Sequence, residues 1–182
     1  MHYKKIHFII FTFLILVAFS CKKNNHDIQQ NIPLNYKKTL ENVNKVLVEK
    51  DTELIKNFIN RRGWEMSNTA TGLWFMIYEK GTDIKIKKND LVELKYNLWL
   101  IDGTLLYSSD STGLKTFIVG KGGVEAGLEE GLLLLNNKSK ARFILPPHLA
   151  HGLIGDGNKI PGRAIVIYDI EIVNIKTHIL NK

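Results

Sequence analysis

From Leu91 to Leu100 apolar and polar residues alternate. Val92, Leu94, Tyr96, Leu98 and Leu100 fall on one side, and Glu93, Lys95 and Asn97 on the other. A period of two puts alternate side chains on opposite faces of a strand, so this segment has one face to bury and one to wet. The pattern returns twice. Ala141, Phe143 and Leu145 alternate with Lys140 and Arg142, and Val166, Tyr168, Ile170 and Ile172 alternate with Asp169 and Glu171. Strands of this kind belong to antiparallel sheets, which tolerate water on one face. Asp102-Gly103 is a hairpin turn signal, and short strands are expected at Thr104–Tyr107 and Thr116–Val119. The continuous apolar run Leu73–Tyr78 reads as a strand buried on both faces or as an interlocking edge.

Two segments depart from this period. Leu40, Val43, Val46, Leu47, Leu54, Ile55, Phe58 and Ile59 recur at three and four, which predicts a helix opened by Pro33, running to about Arg62 and stopped by Gly63. Its apolar stripe must meet the following domain, a second copy, or a partner; its own domain is the default. Val124, Leu128, Leu132 and Leu135 predict a short helix over Val124–Leu135, with Glu129 and Glu130 on its exposed side. Pro146–Gly162 is a long glycine-rich loop, and loops of this length in compact domains are usually functional. One antiparallel sheet with one short helix across it, preceded by an N-terminal helix, is an α+β architecture.

The chain's 182 residues suit one domain with an appendage. Lys4 and Lys5 precede an apolar stretch, Phe8–Phe19, too short to span a bilayer, which takes about 20 residues. Ala18-Phe19-Ser20 then leads into Cys21, the one cysteine, so no intramolecular disulfide can form. This arrangement resembles a bacterial lipoprotein signal, with Phe19 bulkier than usual there. Residues 1–20 are therefore expected to be a signal peptide, Cys21 a lipidation site, 21–32 a tether, 33–63 the helix and 71–177 the folded domain. The alternative is an ordinary signal peptide with a leftover thiol. Lys22-Lys23-Asn24-Asn25 carries no acidic run, which points to a periplasm-facing outer-membrane anchor in the cell envelope. The net charge of +7 is scattered, with no run of four basic residues, so it reads as a solvated surface and nucleic acid is not expected as a partner.

Several motifs occur in order: Val92-Glu93-Leu94-Lys95-Tyr96, Asp102-Gly103, Ser108-Ser109, Phe117-Ile118-Val119-Gly120, Gly127-Leu128-Glu129-Glu130-Gly131, Pro146–Gly152 and Ile165–Glu171. From about Leu73 to Ile175 the chain resembles an FKBP-type peptidyl-prolyl cis-trans isomerase. The N-terminal signal, the helix, Gly72-Leu73-Trp74, Gly155-Asp156 and Lys159-Ile160 further resemble the gliding-motility-associated FKBP lipoproteins of Bacteroidetes. The resemblance implies an FKBP-like antiparallel sheet wrapped on one short helix, proline-containing polypeptides as substrates, and no cofactor.

Position by position, the resemblance places Tyr96, Leu106, Phe117, Val124, Leu128, Ile160 and Tyr168 in an apolar pocket, with Leu128 as its floor. The backbone N–H of Glu125 would hold a substrate carbonyl. His151 stands where the family has a tyrosine whose hydroxyl reaches the substrate. Tyr107 stands where active members carry an aspartate and brings no charge, so a catalytically weak FKBP-fold chaperone or partner-binding module is the alternative. Periodicity alone also allows Tyr96, Val124, Leu128 and Tyr168 to be ordinary core. His148 and His151 lack a third metal ligand nearby and read as loop histidines, so no metal is expected. Gly120-Lys121-Gly122-Gly123 lacks the fuller phosphate-loop pattern and reads as a turn. Glu129 and Glu130 receive no acid–base role. The oligomeric state and the client proteins are not legible.

Overall fold

The computed structural model describes residues 34–177. The signal segment, Cys21 and the tether lie outside the described residues. The first turns of the long helix, 34–39, fall in a separate unit from the compact body that begins at Leu40. In chain order the elements are α1 (Leu34–Arg62), β1 (Ser67–Asn68), β2 (Trp74–Glu79), β3 (Asp90–Leu100), β4 (Leu105–Ser108), α2 (Ser109–Thr112), β5 (Lys115–Ile118), α3 (Ala126–Leu132), β6 (Lys140–Leu145), a 3-10 turn (Pro147–Leu149) and β7 (Val166–Thr177).

The sheet has seven strands in the order β1-β2-β6-β7-β3-β4, with β5 also on β3, and its pairings are antiparallel. The two longest strands, β3 and β7, pair along their whole length, from Asp90 opposite Thr177 to Leu100 opposite Val166. Their register shifts between Glu93 and Leu94, where Val173 is the extra residue on β7. Strands β4 and β5 share the other side of β3 end to end, interrupted by α2. The Ser108 side chain caps α2 by accepting from the Asp110 N–H at 3.2 Å. The Ser109 hydroxyl accepts from the Tyr96 N–H at 3.2 Å, a backbone donor that α2 leaves without a strand partner.

One face of the sheet holds the main core, with Val92, Leu94, Leu98, Phe143, Leu145 and Tyr168 packed on Leu128 and Leu132 of α3. The helix approaches closely because two of its residues lack side chains. A Cβ on Gly131 would lie 2.4 Å from Phe143 Cε2, and one on Gly127 would lie 2.7 Å from Leu145 Cγ. Helix α3 is shorter than the segment Val124–Leu135 read from the sequence; Val124 precedes it and Leu135 follows it. Glu129 and Glu130 are half-buried rather than exposed. Glu129 accepts the N–H groups of Gly120 and Gly122 at 3.1 and 3.0 Å, which pins the glycine-rich turn. Glu130 accepts the Thr71 hydroxyl at 2.8 and 2.7 Å. Strand β2 is half-buried to exposed, not buried on both faces.

The opposite face is covered by α1. Ile55, Phe58 and Ile59 are buried against Ile144, Ile165 and Ile167, with Trp64, Met66, Trp74, Trp99 and Ile101 at the margin. Burying such side chains contributes about 1.5–3 kcal/mol each. An ion pair fixes the helix's rotation: Arg163 Nη2 donates to both carboxylate oxygens of Asp51 at 3.0 and 2.9 Å, and Asp51 is only 7% exposed. Among the described residues, no helix is long and apolar enough to cross a membrane.

Candidate active site

Strand β3 turns Tyr96 and Leu98 towards α3 because even positions on this strand face the core. Strand β7 brings Tyr168 beside them, with Leu98 opposite Tyr168 in register and the Tyr96 and Tyr168 rings 6.0 Å apart. The hollow they floor has a volume of about 220 Å³ and is also lined by Tyr107, Lys115, Glu125, His151, Asp156 and Ile160. A second hollow of about 350 Å³ shares Lys115, Glu125 and His151 with it and adds Gly123, Val124 and Ala150.

Six residues singled out in the sequence therefore meet in one cavity: Tyr96, Tyr107, Glu125, His151, Ile160 and Tyr168. Val124 lines the adjoining hollow. Leu106 and Leu128 do not line the cavity; both are buried in the core, Leu128 completely, so the floor is made by Tyr168 and Leu98 instead. Phe117 is half-buried and packs against the core from β5, outside the lining. The residues missed were Leu98, Lys115 and Asp156. Leu98 was on the correct face of a legible strand. Lys115 and Asp156 sit on segments whose direction only the folded chain sets.

The cavity is not wholly apolar. Glu125 is 9% exposed and turns its carboxylate inward. Oε1 accepts the Tyr168 hydroxyl at 2.6 Å and lies 2.9 Å from His151 Nε2. Oε2 is buried with no hydrogen-bond partner, 3.8 Å from Lys115 Nζ. Burial pushes the Glu125 carboxyl up. The Lys115 charge, the Tyr168 hydroxyl, its own backbone N–H and His151 together outweigh burial and hold it below the usual range. An ionised carboxylate only accepts, so Nε2 of His151 is the donor in this pair and is not free to donate to a substrate. Burial, with the Glu125 charge and hydrogen bond behind it, pushes the Tyr168 hydroxyl well above the ordinary phenol range.

Lys115 Nζ stands 5.2 Å from the Tyr96 ring centroid and 5.8 Å from that of Tyr168. It is thus a cation at the mouth, held over two aromatic faces. On the other rim, Tyr107 donates its hydroxyl to Asp156 Oδ2 at 2.5 Å. Asp156 Oδ1 accepts the N–H groups of Asn158 and Ile160 at 2.9 and 2.7 Å. Burial raises the Asp156 carboxyl, but the Tyr107 hydroxyl, these two N–H groups and His151 outweigh it and bring it down to about 2. Tyr107 brings no charge of its own, as expected, and the loop sets the Asp156 carboxylate beside it. Lys159 Nζ donates to the Leu106 carbonyl at 3.0 Å and closes the loop onto β4. His148 points away, with Nε2 2.9 Å from the Thr71 carbonyl. Among the described residues no group of three or more His, Cys, Asp or Glu is placed to hold a metal.

An antiparallel sheet curled on one short helix, with a tyrosine-walled hollow at the helix's N-terminal end, is an FKBP-type architecture. The sequence pattern of the FKBP-type peptidyl-prolyl cis-trans isomerase family matches residues 82–173, just over half of the 182, and the chain belongs to this family. It is 38% identical over 91 residues to the peptidyl-prolyl cis-trans isomerase FKBP9 of Homo sapiens, covering 49% of this chain and 16% of that protein. To the FKBP-type isomerase FkpA of Buchnera aphidicola it is 31% identical over 169 residues, covering 88% of this chain and 65% of that protein. With FkpA of Aeromonas hydrophila the identity is 36% over 112 residues, covering 61% and 41%. The chain thus spans about a sixth of FKBP9 and just under two thirds of the Buchnera protein. The crystal structure of AtFKBP13 superposes with a TM-score of 0.59 at 29% identity, covering 62% of this chain and 99% of that one. That of FkpA from Escherichia coli superposes with a TM-score of 0.62 at 24% identity, covering 93% and 81%, a likeness of fold.

Proposed function

We propose that this chain catalyses cis–trans isomerisation of X-Pro bonds in polypeptides. The observation that carries the reading is the cavity of about 220 Å³ in which Tyr96, Leu98, Ile160 and Tyr168 offer apolar surface to a prolyl ring, beside the one inward carboxylate of Glu125. Rotation about the amide costs about 18–20 kcal/mol because resonance is lost, and unaided exchange takes tens to hundreds of seconds. The twisted carbonyl carries less charge than the planar one. A pocket that grips the ring and withholds water from the amide favours the twist, and no covalent step is needed. The Tyr107–Asp156 pair steadies the loop bearing Ile160.

Proline-containing polypeptides are then the substrates. The chain's apolar leader and Cys21 support attachment to the cell envelope through a lipid, facing the periplasm from the outer membrane, with the domain assisting the folding of exported proteins. The motifs shared with gliding-motility FKBP lipoproteins support placing it in that branch. Fatty-acid labelling of cells tests the anchor: the label enters the parent and is absent from Cys21→Ser. The isomerase reading is tested by refolding of a protein limited by a prolyl bond. The slow phase accelerates with this chain in catalytic amounts, and an unchanged slow phase at equimolar chain contradicts it.

A second reading, a partner-binding module with weak turnover, rests on the buried Glu125 charge beside the prolyl site. Glu125→Ile with Tyr168→Phe makes that wall apolar. If this double variant gains isomerase activity many-fold over a nearly inactive parent, the binding reading holds. Tyr107→Asp is the poorer test, because it sets a second carboxylate against Asp156.

A further inference from the structure

On the sheet face away from the prolyl cavity, a hollow of about 280 Å³ opens between the end of α1 and the β3–β4 hairpin. Phe58, Arg62 and Trp64 enter it from α1 and the segment after it, and Trp99, Arg142 and Ile167 from the sheet. The first three lie before residue 82, outside the stretch that matches the family pattern, so this hollow is no part of the family's shared site. The volume is just below the ~300 Å³ at which small-molecule pockets begin, which suits one side chain and a charged neighbour.

Its chemistry is asymmetric. Arg142 Cζ lies 4.2 Å from the Trp64 ring centroid, and its Nη2 is given to Asp169. The Arg62 guanidinium lies 5.0 Å from the Phe58 centroid and 5.7 Å from that of Trp64. Among the described residues Arg62 has no carboxylate within ion-pair distance. Two guanidinium groups thus border an aromatic floor and face one aspartate, which leaves a net positive charge over apolar walls. Both guanidinium groups lie over aromatic faces, and a guanidinium so placed keeps further N–H donors for an acceptor.

We infer that this hollow binds a polypeptide segment presenting an aromatic or aliphatic side chain next to a carboxylate, with the apolar group on Trp64 and Trp99 and the carboxylate on Arg62 and Arg142. It gives the protein a second, proline-independent hold on a chain, on the opposite side of the sheet from the prolyl cavity. The inference stands whether or not the prolyl cavity turns over.

All three tryptophans, Trp64, Trp74 and Trp99, cluster on this face, and none lines the prolyl cavity. Tryptophan emission therefore reports on this hollow selectively. The probe is N-acetyl-Ala-Phe-Asp-amide, which has no proline, with N-acetyl-Ala-Phe-Asn-amide as its neutral counterpart. The acidic peptide should change the emission saturably at millimolar concentration. The neutral peptide and the Arg62→Gln variant should each weaken binding about tenfold or more, the usual worth of a charged hydrogen bond. Tyr168→Phe should leave it unchanged. Arg62 is exposed, so its variant should keep the parent's melting temperature. No saturable change with the acidic peptide, equal binding of the two peptides, or undiminished binding by Arg62→Gln would each overturn the inference.

Discussion

Glu125 couples to Tyr168 through a 2.6 Å hydrogen bond in a buried site. Replacing only Glu125 with Ile strands the Tyr168 hydroxyl and should cost about 1–3 kcal/mol. The added change Tyr168→Phe removes the stranded group. The double variant should then be more stable than Glu125→Ile alone, a coupling of about 1 kcal/mol or more in urea denaturation. Asp156 gives a second prediction. Its carboxyl is held at about 2 when folded and should lie near the ordinary ~3.9 when unfolded. The unfolded chain therefore binds the proton first. The stabilisation is complete above about pH 5 and is lost as the pH falls towards 2. The site is at a wet rim, so its worth is about 1 kcal/mol after solvent screening. Thermal melts of the parent and Asp156→Asn should differ at pH 7 and draw together as the pH falls through about 2. At this scale the sequence was only partly readable. Tyr96, Ile160 and Tyr168 could be assigned because strand phase or motif order fixes where they point. The pairing of Tyr107 with Asp156, 49 residues apart, depends on how the loop closes, and nothing local encodes it.

Helix α3 and helix α1 hold the sheet from its two sides by different means. For α3 the fit is steric, since Gly131 leaves room for the Phe143 ring. Gly131→Ala should cost about 1–3 kcal/mol by overpacking, read as a lower urea midpoint with an unchanged slope. For α1 the fit is apolar contact locked by the Asp51–Arg163 pair. Asp51→Ala should cost about 1–3 kcal/mol, the lower end being set by the partial exposure of Arg163. Isomerisation well below the melting transition should not change, because the pair lies outside the cavity lining. Strands β3, β6 and β7 and the end of α1 were legible because their apolar periods run over several residues and Gly63 marks a stop. The two-residue β1 and the four-residue α2 were not, being made by partner strands and a Ser108 cap rather than by any period. The extent of α3 was overread because Val124 and Leu135 continue its apolar spacing after its backbone has left the helix.

Among the described residues the sheet carries a hollow on each of its faces. One face and α3 build the prolyl cavity; the other face and α1 build an aromatic hollow edged with arginine. The cavity keeps the family's hydrophobic grip but carries two carboxylates, one at the back on Glu125 and one at the rim on Asp156. On the proposed function this altered cavity still turns over. Magnetisation exchange between cis and trans signals of a short X-Pro peptide measures that directly. Exchange well above the uncatalysed rate is expected with substoichiometric chain, as is its loss when Ile160→Trp fills the hollow. Exchange at the uncatalysed rate with equimolar folded chain would contradict it.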